Sequence, residues 1–252
     1  MGFELDLLTI LFLFFVGSFA GFVDAIAGGG GIITLPALMA VGIPPHIALA
    51  TNKLQSSFGS LTATVNYAHK GLLHPKELLY GVFFTFFGAS SGAYVVQYFS
   101  ADFLEDFIIF MLIILFIYTA VFPKLGHKAV EAKMKKKAFY LFFGLLIGFY
   151  DGFFGPGTGS FWTIALVLFL GLNLKQATAQ TKLFNFISNI VSLSVFASMG
   201  LVLWYIGIIM GLGQILGAYL GSTLVSKKDV KFIRIFFLAV VAATILKLII
   251  SQ

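Results

Sequence analysis

The 252-residue chain has no cysteine, which excludes disulfides, thiolate nucleophiles and iron–sulfur clusters and leaves its redox compartment open. Charge is also scarce: Asp, Glu, Lys and Arg make up 10% of the residues, against about 25% in an ordinary soluble domain. The two tryptophans, Trp162 and Trp204, are too few to mark an aromatic belt. His46, His69, His74 and His127 fall at predicted helix ends or in loops without metal-ligand spacing, so neither a metal nor a cofactor is expected. Apolar residues are abundant instead, with 60% hydrophobic residues and 31 phenylalanines, and a mean hydropathy of +1.02. A soluble enzyme is excluded. About six or more stretches of twenty apolar residues, each able to cross a hydrocarbon core of about 30 Å, predict an all-α polytopic membrane protein. The first apolar run follows a segment with Glu4 and Asp6 and no Lys or Arg, so it lacks the positive region of a cleaved signal peptide and reads as a retained helix.

The formal net charge of +6 is concentrated. Lys124, Lys128, Lys133, Lys135, Lys136 and Lys137 lie between an apolar run ending at Phe122 and another beginning at Ala138. Between two membrane segments such a cluster reads as a cytoplasmic loop obeying the positive-inside rule, rather than as a nucleic-acid patch. It divides the chain into a first repeat, 1–122, a basic loop, 123–137, and a second repeat, 138–252, within a single bundle.

The halves repeat one another. Gly21-Phe-Val-Asp24 returns as Gly148-Phe-Tyr-Asp151 at an offset of 127, and Gly17 recurs as Gly144. Ala48 and Lys53 recur as Ala177 and Lys182, and Gly88 and Gly92 as Gly217 and Gly221, at an offset of 129. Expected elements are 7–26, 31–41, 46–68, 77–98 and 103–122, then 138–153, 159–171, 175–199, 202–225 and 230–250. Corresponding loops exchange charge. Residues 69–76 hold Lys70 and Lys76 whereas 199–201 hold no charge; 100–106 hold Asp102, Glu105 and Asp106 whereas 226–234 hold Lys227, Lys228, Lys231 and Arg234. The expected fold is therefore two inverted-topology repeats, each a Gly-broken helical hairpin plus three transmembrane helices, with both termini outside. A parallel four-plus-four arrangement is the alternative.

The broken segments carry Ala27-Gly-Gly-Gly-Gly31 and Gly155-Pro-Gly-Thr-Gly-Ser160. Neither follows a strand, so dinucleotide and phosphate-loop readings fail on context. Non-helical backbone at membrane depth must be buried in protein or line a polar cavity. Two such turns entering from opposite sides would aim short-helix N-termini at one ligand, and exposed N–H groups there suit an anion. Gly29, Gly30, Gly31, Gly157, Thr158 and Gly159 are the candidates; the small-xxx-small glycines read as packing sites.

Lys53, Ser56 and Ser60 share a helix face, and Lys182, Asn185 and Asn189 repeat that spacing. Asn52, Gln55, Gln180 and Thr181 widen the two stripes. A lysine inside a spanning helix costs about 2.5 to 3.5 kcal/mol on insertion scales, which makes Lys53 and Lys182 candidates for substrate contact, with snorkelling as the bland alternative. Asp24 and Asp151 precede the two turns. The readings that stay open for them are a proton or sodium coupling site, or else partners that neutralise the lysines or caps for the loops.

The stretch Gly21-Phe-Val-Asp-Ala-Ile-Ala-Gly-Gly-Gly-Gly-Ile32, with Leu35-Pro36, Ala48-Leu-Ala-Thr-Asn-Lys53 and the Gly148–Gly155 copy, resembles the TauE/SafE sulfite exporter family of membrane permeases. The resemblance spans essentially the whole chain. It implies a multi-pass permease of a bacterial inner membrane that moves a small sulfur-containing anion such as sulfite, a sulfonate or sulfoacetate. Pro156 and Thr158 stand where the first turn has glycines, so the two turns need not act alike. Residues and resemblance together predict an anion carrier working by alternating access. A passive anion channel and a cation-coupled carrier centred on Asp24 and Asp151 are the alternatives, and no cluster suits an enzyme. The expected partners are the anion and the lipid bilayer, with no nucleic acid; self-association, direction and coupling stay open.

Overall fold

The computed structural model describes residues 6–104, 106, 107, 110 and 131–227, and its regular elements are all helical. The helices are α1 (Leu7–Ala27), α2 (Gly30–Ala40), α3 (Pro45–His69), α4 (Leu79–Val95), α5 (Lys136–Phe153), α6 (Thr158–Leu170), α7 (Leu174–Ser198) and α8 (Trp204–Lys227), with short 3-10 turns flanking α4. Bounds lie within two residues of those expected from hydropathy, counting the turns with α4. The expected helix at 230–250 and nearly all of that at 103–122 lie outside the described residues, as do Glu105, Lys124, His127, Lys128, Lys228, Lys231 and Arg234.

Local chemistry sets these bounds. The Asp6 carboxylate caps α1 by accepting from the Thr9 amide at 2.9 Å, and Asn173 caps α7 by accepting from the Gln176 amide at 3.0 Å. Gly28 ends α1 in the left-handed region, φ 74°, with its N–H donating to the Asp24 carbonyl. Gly157 takes the same region, φ 80°, at the entry to α6. Pro45 opens α3, where its missing N–H would have no helical partner anyway.

Lengths sort the helices into spanning and broken ones. At 1.5 Å per residue α2 and α6 reach only about 16 and 20 Å, too short for a hydrocarbon core. Among the described residues, Leu7–Ala27, Pro75–Tyr98 and Trp204–Ser226 are long and apolar enough to cross a membrane. The 25-residue α3 and α7 are longer still, but their buried polar residues keep them out of that class. Phe83, Phe87, Leu212, Leu216 and other large apolar side chains lie exposed on the outer faces of α4 and α8, as a lipid environment requires.

Packing interlocks the two halves. The first helix of each half lies along the last described helix of the other: α1 against α8, and α5 against α4. The polar helices α3 and α7 pack on each other between these pairs. Apolar area alone gives little drive within lipid, so close backbone approach has to hold helices together. A Cβ on Gly217 would fall on the Ser18 carbonyl of α1, and one on Gly152 or Gly92 would fall on backbone across the α4–α5 interface.

Gly217→Leu is therefore expected to separate α1 from α8 and lower stability by about 1–3 kcal/mol or more. Leu216→Ala, at a neighbouring lipid-facing position, should change little. Thermal midpoints followed by size-exclusion chromatography in detergent check both.

Candidate functional site

The two turns touch. The Ser160 amide donates to the Gly28 carbonyl at 3.1 Å, and the Ser160 hydroxyl donates to the carbonyls of Ala27 and Gly28 at 2.9 and 3.2 Å. A Cβ on Gly159 would sit 2.5 Å from the Gly28 Cα, so only glycine permits this approach. The Pro156 Cα packs 3.2 Å from where Gly31 would carry a Cβ.

Between the turns lies a small polar pocket with an open mouth. The first half contributes Asp24 from α1, Gly28, Gly30 and Gly31 from its turn, and Asn52, Lys53 and Ser56 from α3. The second contributes Asp151 from α5, Gly155, Gly157, Thr158 and Gly159 from its turn, and Asn185 and Asn189 from α7. Three of the candidates read from the sequence lie outside this lining. Gly29 precedes α2 as its N-cap. Gln55 turns away, donating to Thr34 and Asn52 at 3.0 and 2.7 Å. Lys182 is fully buried against Asp24.

Both lysines are ion-paired, and both pairs cross between the halves. Lys53 of α3 meets Asp151 of α5 at 2.7 Å and also donates to the Asp151 carbonyl. Lys182 of α7 meets Asp24 of α1 at 2.9 Å. The surroundings of the aspartates differ. The Asp151 carboxylate also accepts from the Ser188 hydroxyl, and its side chain is 4% exposed. The Asp24 carboxylate also accepts from the Gly30 amide at 3.2 Å, and its side chain is 20% exposed. With two ammonium and two carboxylate groups the site is electroneutral as built.

A polar network extends from the first turn's side of the site. The Thr34 hydroxyl donates to Asn52, and Gln55 accepts from Gln214 of α8. The Thr34–Asn52 contact has its counterpart 129 residues on, where Thr163 and Thr181 lie 3.1 Å apart. At that same offset Gln55 becomes Phe184, which stacks on Trp162 with ring centroids 4.4 Å apart. One flank of the site is thus polar and the other aromatic. Ser188, Thr34 and Gln214 are site or support residues that sequence reading missed, whereas Gly28, Gly155 and Ser160 lie in the two turns it marked without being singled out as candidates. A lone Gln in the apolar run of α8 was the one available signal.

The donors left over are informative. Among the described residues nothing accepts from the amides of Gly31 and Gly159, near the N-termini of α2 and α6. The Asn185 Oδ1, in a side chain buried to 5% exposure, also has no partner. Unpaired buried polar groups of this kind mark where a ligand or water belongs. Among the described residues no group of three His, Asp or Glu side chains is placed to hold a metal.

The sulfite exporter TauE/SafE family profile matches residues 13–248. The chain belongs to the TauE/SafE family. A probable membrane transporter protein of Escherichia coli K12, YfcA, is 44% identical over 94% of this chain and 88% of its own length. A probable membrane transporter protein of Haemophilus influenzae is 41% identical over 93% and 91%, and one from Sinorhizobium, ORF9, is 42% identical over 95% and 92%. No solved structure matches significantly. The TauE/SafE protein is thus a multi-pass bacterial membrane transporter.

Breaking one partner of a buried pair leaves an uncompensated charge. Lys53→Met and Asp151→Leu should each destabilise the protein by about 3–5 kcal/mol, while the double variant recovers most of the loss. Thermal midpoints of the four proteins of this cycle measure the coupling.

Proposed function

We propose that this TauE/SafE protein is a secondary transporter that carries a small sulfur-containing anion, such as sulfite, a sulfonate or sulfoacetate, across the inner membrane by alternating access. The observation that carries the reading is the meeting of the two broken segments at one pocket, with the amides of Gly31 and Gly159 free there. Two helix N-termini then act on one anion, and Asn52, Ser56, Asn185, Asn189 and Thr158 add hydrogen-bonding side chains. Lys53 and Lys182, each paired with an aspartate of the other half, add ammonium groups to an electroneutral site. The sulfite-exporter description of the family supports that substrate class, and this donor set suits it.

Alternating access rests on the halves being inverted-topology repeats. The exchange of loop charge and the reciprocal packing of α1 on α8 and α5 on α4 support that arrangement. An axis in the membrane plane relates the two halves, so a rocking motion that closes one half's path opens the other's. A monoanion moved outward gains about 2.3 kcal/mol per 100 mV of inside-negative potential, whereas uptake against it needs a cation.

Purified protein in liposomes should show saturable counterflow with one or more of sulfite, thiosulfate, sulfoacetate and taurine, and far less with chloride. Asn189→Leu should raise the half-saturating concentration about tenfold, the loss of one charge-assisted hydrogen bond. Lys182→Gln should abolish anion flux. Flux without saturation or counterflow would indicate a channel, and cation flux surviving Lys182→Gln a cation carrier.

A further inference from the structure

The two cross-half ion pairs are not equivalent, although the sequence places their members in register. The Asp151 carboxylate is held on both oxygens, by Lys53 and Ser188, and Lys53 is tied a second time to the Asp151 main chain. The Asp24 carboxylate is held by Lys182 on one oxygen and by a helix N-terminal amide, that of Gly30, on the other. Those two partners are an ammonium and the first N–H of α2, and the free amide of Gly31 follows directly. They are what a substrate anion at this turn would use. Asp24 is also the more exposed aspartate and lines the pocket, whereas its lysine is fully sequestered behind it.

We infer that Asp24 is a tethered competitor for the substrate: an entering anion displaces its carboxylate from Lys182 and the Gly30 amide, and the displaced carboxylate takes up a proton. The inference rests on the anion-carrier reading above and names the coupling group within it.

Charge balance forces the proton. Lys53, Lys182, Asp24 and Asp151 sum to zero in the empty site. An anion added alone would leave one buried negative charge uncompensated, which a low-dielectric site opposes. A proton on Asp24, drawn from the water on the side of entry, restores zero while Lys182 stays paired, now with the anion. Sodium fits less well, because it needs several oxygen ligands and Asp24 is surrounded by N–H donors. A protonated carboxyl needs an acceptor, and the pocket holds one without a donor, Oδ1 of Asn185. The titratable groups facing Asp24 are Lys182 from α7, Lys53 and Tyr67 from α3, and Asp151 from α5. Tyr67 donates its hydroxyl to the Ala25 carbonyl. Helices α2 and α6 have no titratable residue, and the tyrosines of α8, Tyr205 and Tyr219, face outward. Asp151 is the fixed member of the set, a positioning residue for Lys53.

Methanesulfonate is a suitable probe because its own charge does not titrate near neutral pH. Added to purified protein in weakly buffered solution, it should cause uptake of about one proton per bound anion. In liposomes with the potential clamped, an inward proton gradient of one pH unit should drive about tenfold accumulation. Asp24→Asn should lower the half-saturating concentration for counterflow about tenfold, abolish accumulation and abolish proton uptake. Binding without proton uptake by the native protein overturns the inference, and needs no variant to fold. So does accumulation that survives Asp24→Asn. Failure of the native protein to bind or exchange methanesulfonate or any of the sulfur anions tested above counts against the anion-carrier reading itself, and the inference falls with it.

Discussion

Two ammonium groups buried inside helices in a membrane protein must each meet a carboxylate, and here each finds it in the opposite half of the chain. Burying an unpaired charge costs several kcal/mol, a large share of the marginal stability of a fold, so these contacts constrain how the halves join. Lys53 reaches α5 and Lys182 reaches α1, the helices that lead into the two turns. Each pair therefore fixes one turn against the polar helix of the other half. The glycines do the rest by letting the backbones at Gly28 and Gly159 touch.

That arrangement makes a candidate site from parts that neither half has alone. Both turns and both polar helices contribute to the pocket lining, so the pocket lies between the halves. The near-symmetry also creates an electroneutral site, which distinguishes it from a simple positive trap for anions. On the proposed reading, an anion is selected by oriented N–H groups, which discriminate by geometry and cost little reorganisation, rather than by net charge. The departure from symmetry is equally physical. The first flank is held by hydrogen bonds through Gln55 and Gln214, whereas the second is held by Phe184 stacked on Trp162.

Much of this was legible in the sequence because a bilayer imposes strong rules. Hydropathy located α1, α3, α4 and the helices of the second half, and the duplicated Gly-Phe-x-Asp marked both turns. The stripe of Lys53 and Ser56 and its copy at Lys182, Asn185 and Asn189 follow from helical spacing alone, and most of them line the pocket. What spacing does not encode is the rotation of each helix about its axis and the choice of partner between halves. Gln55 is three residues from Asn52 yet turns toward α8, because Gln214 fills the space left by Gly21 and Gly59. Lys182 and Lys53 are exact counterparts in the repeat, yet only Lys53 lines the pocket, because the more exposed Asp24 covers its partner. Ser188 was missed because a serine in an apolar helix commonly bonds its own backbone, as this one also does to Phe184.

The contact between the turns is the feature on which the pocket and the proposed mechanism depend, and the absence of native cysteine makes it directly measurable. Cysteines replacing Ala27 and Ser160, whose hydroxyl lies 2.9 Å from the Ala27 carbonyl, can be joined by a short thiol crosslinker in native membranes. A protease site placed in the 123–137 loop then separates the halves unless they are linked. Fragments that remain joined after cleavage under denaturing conditions are the expected result. Fragments that separate as freely as those of the untreated protein would contradict the account.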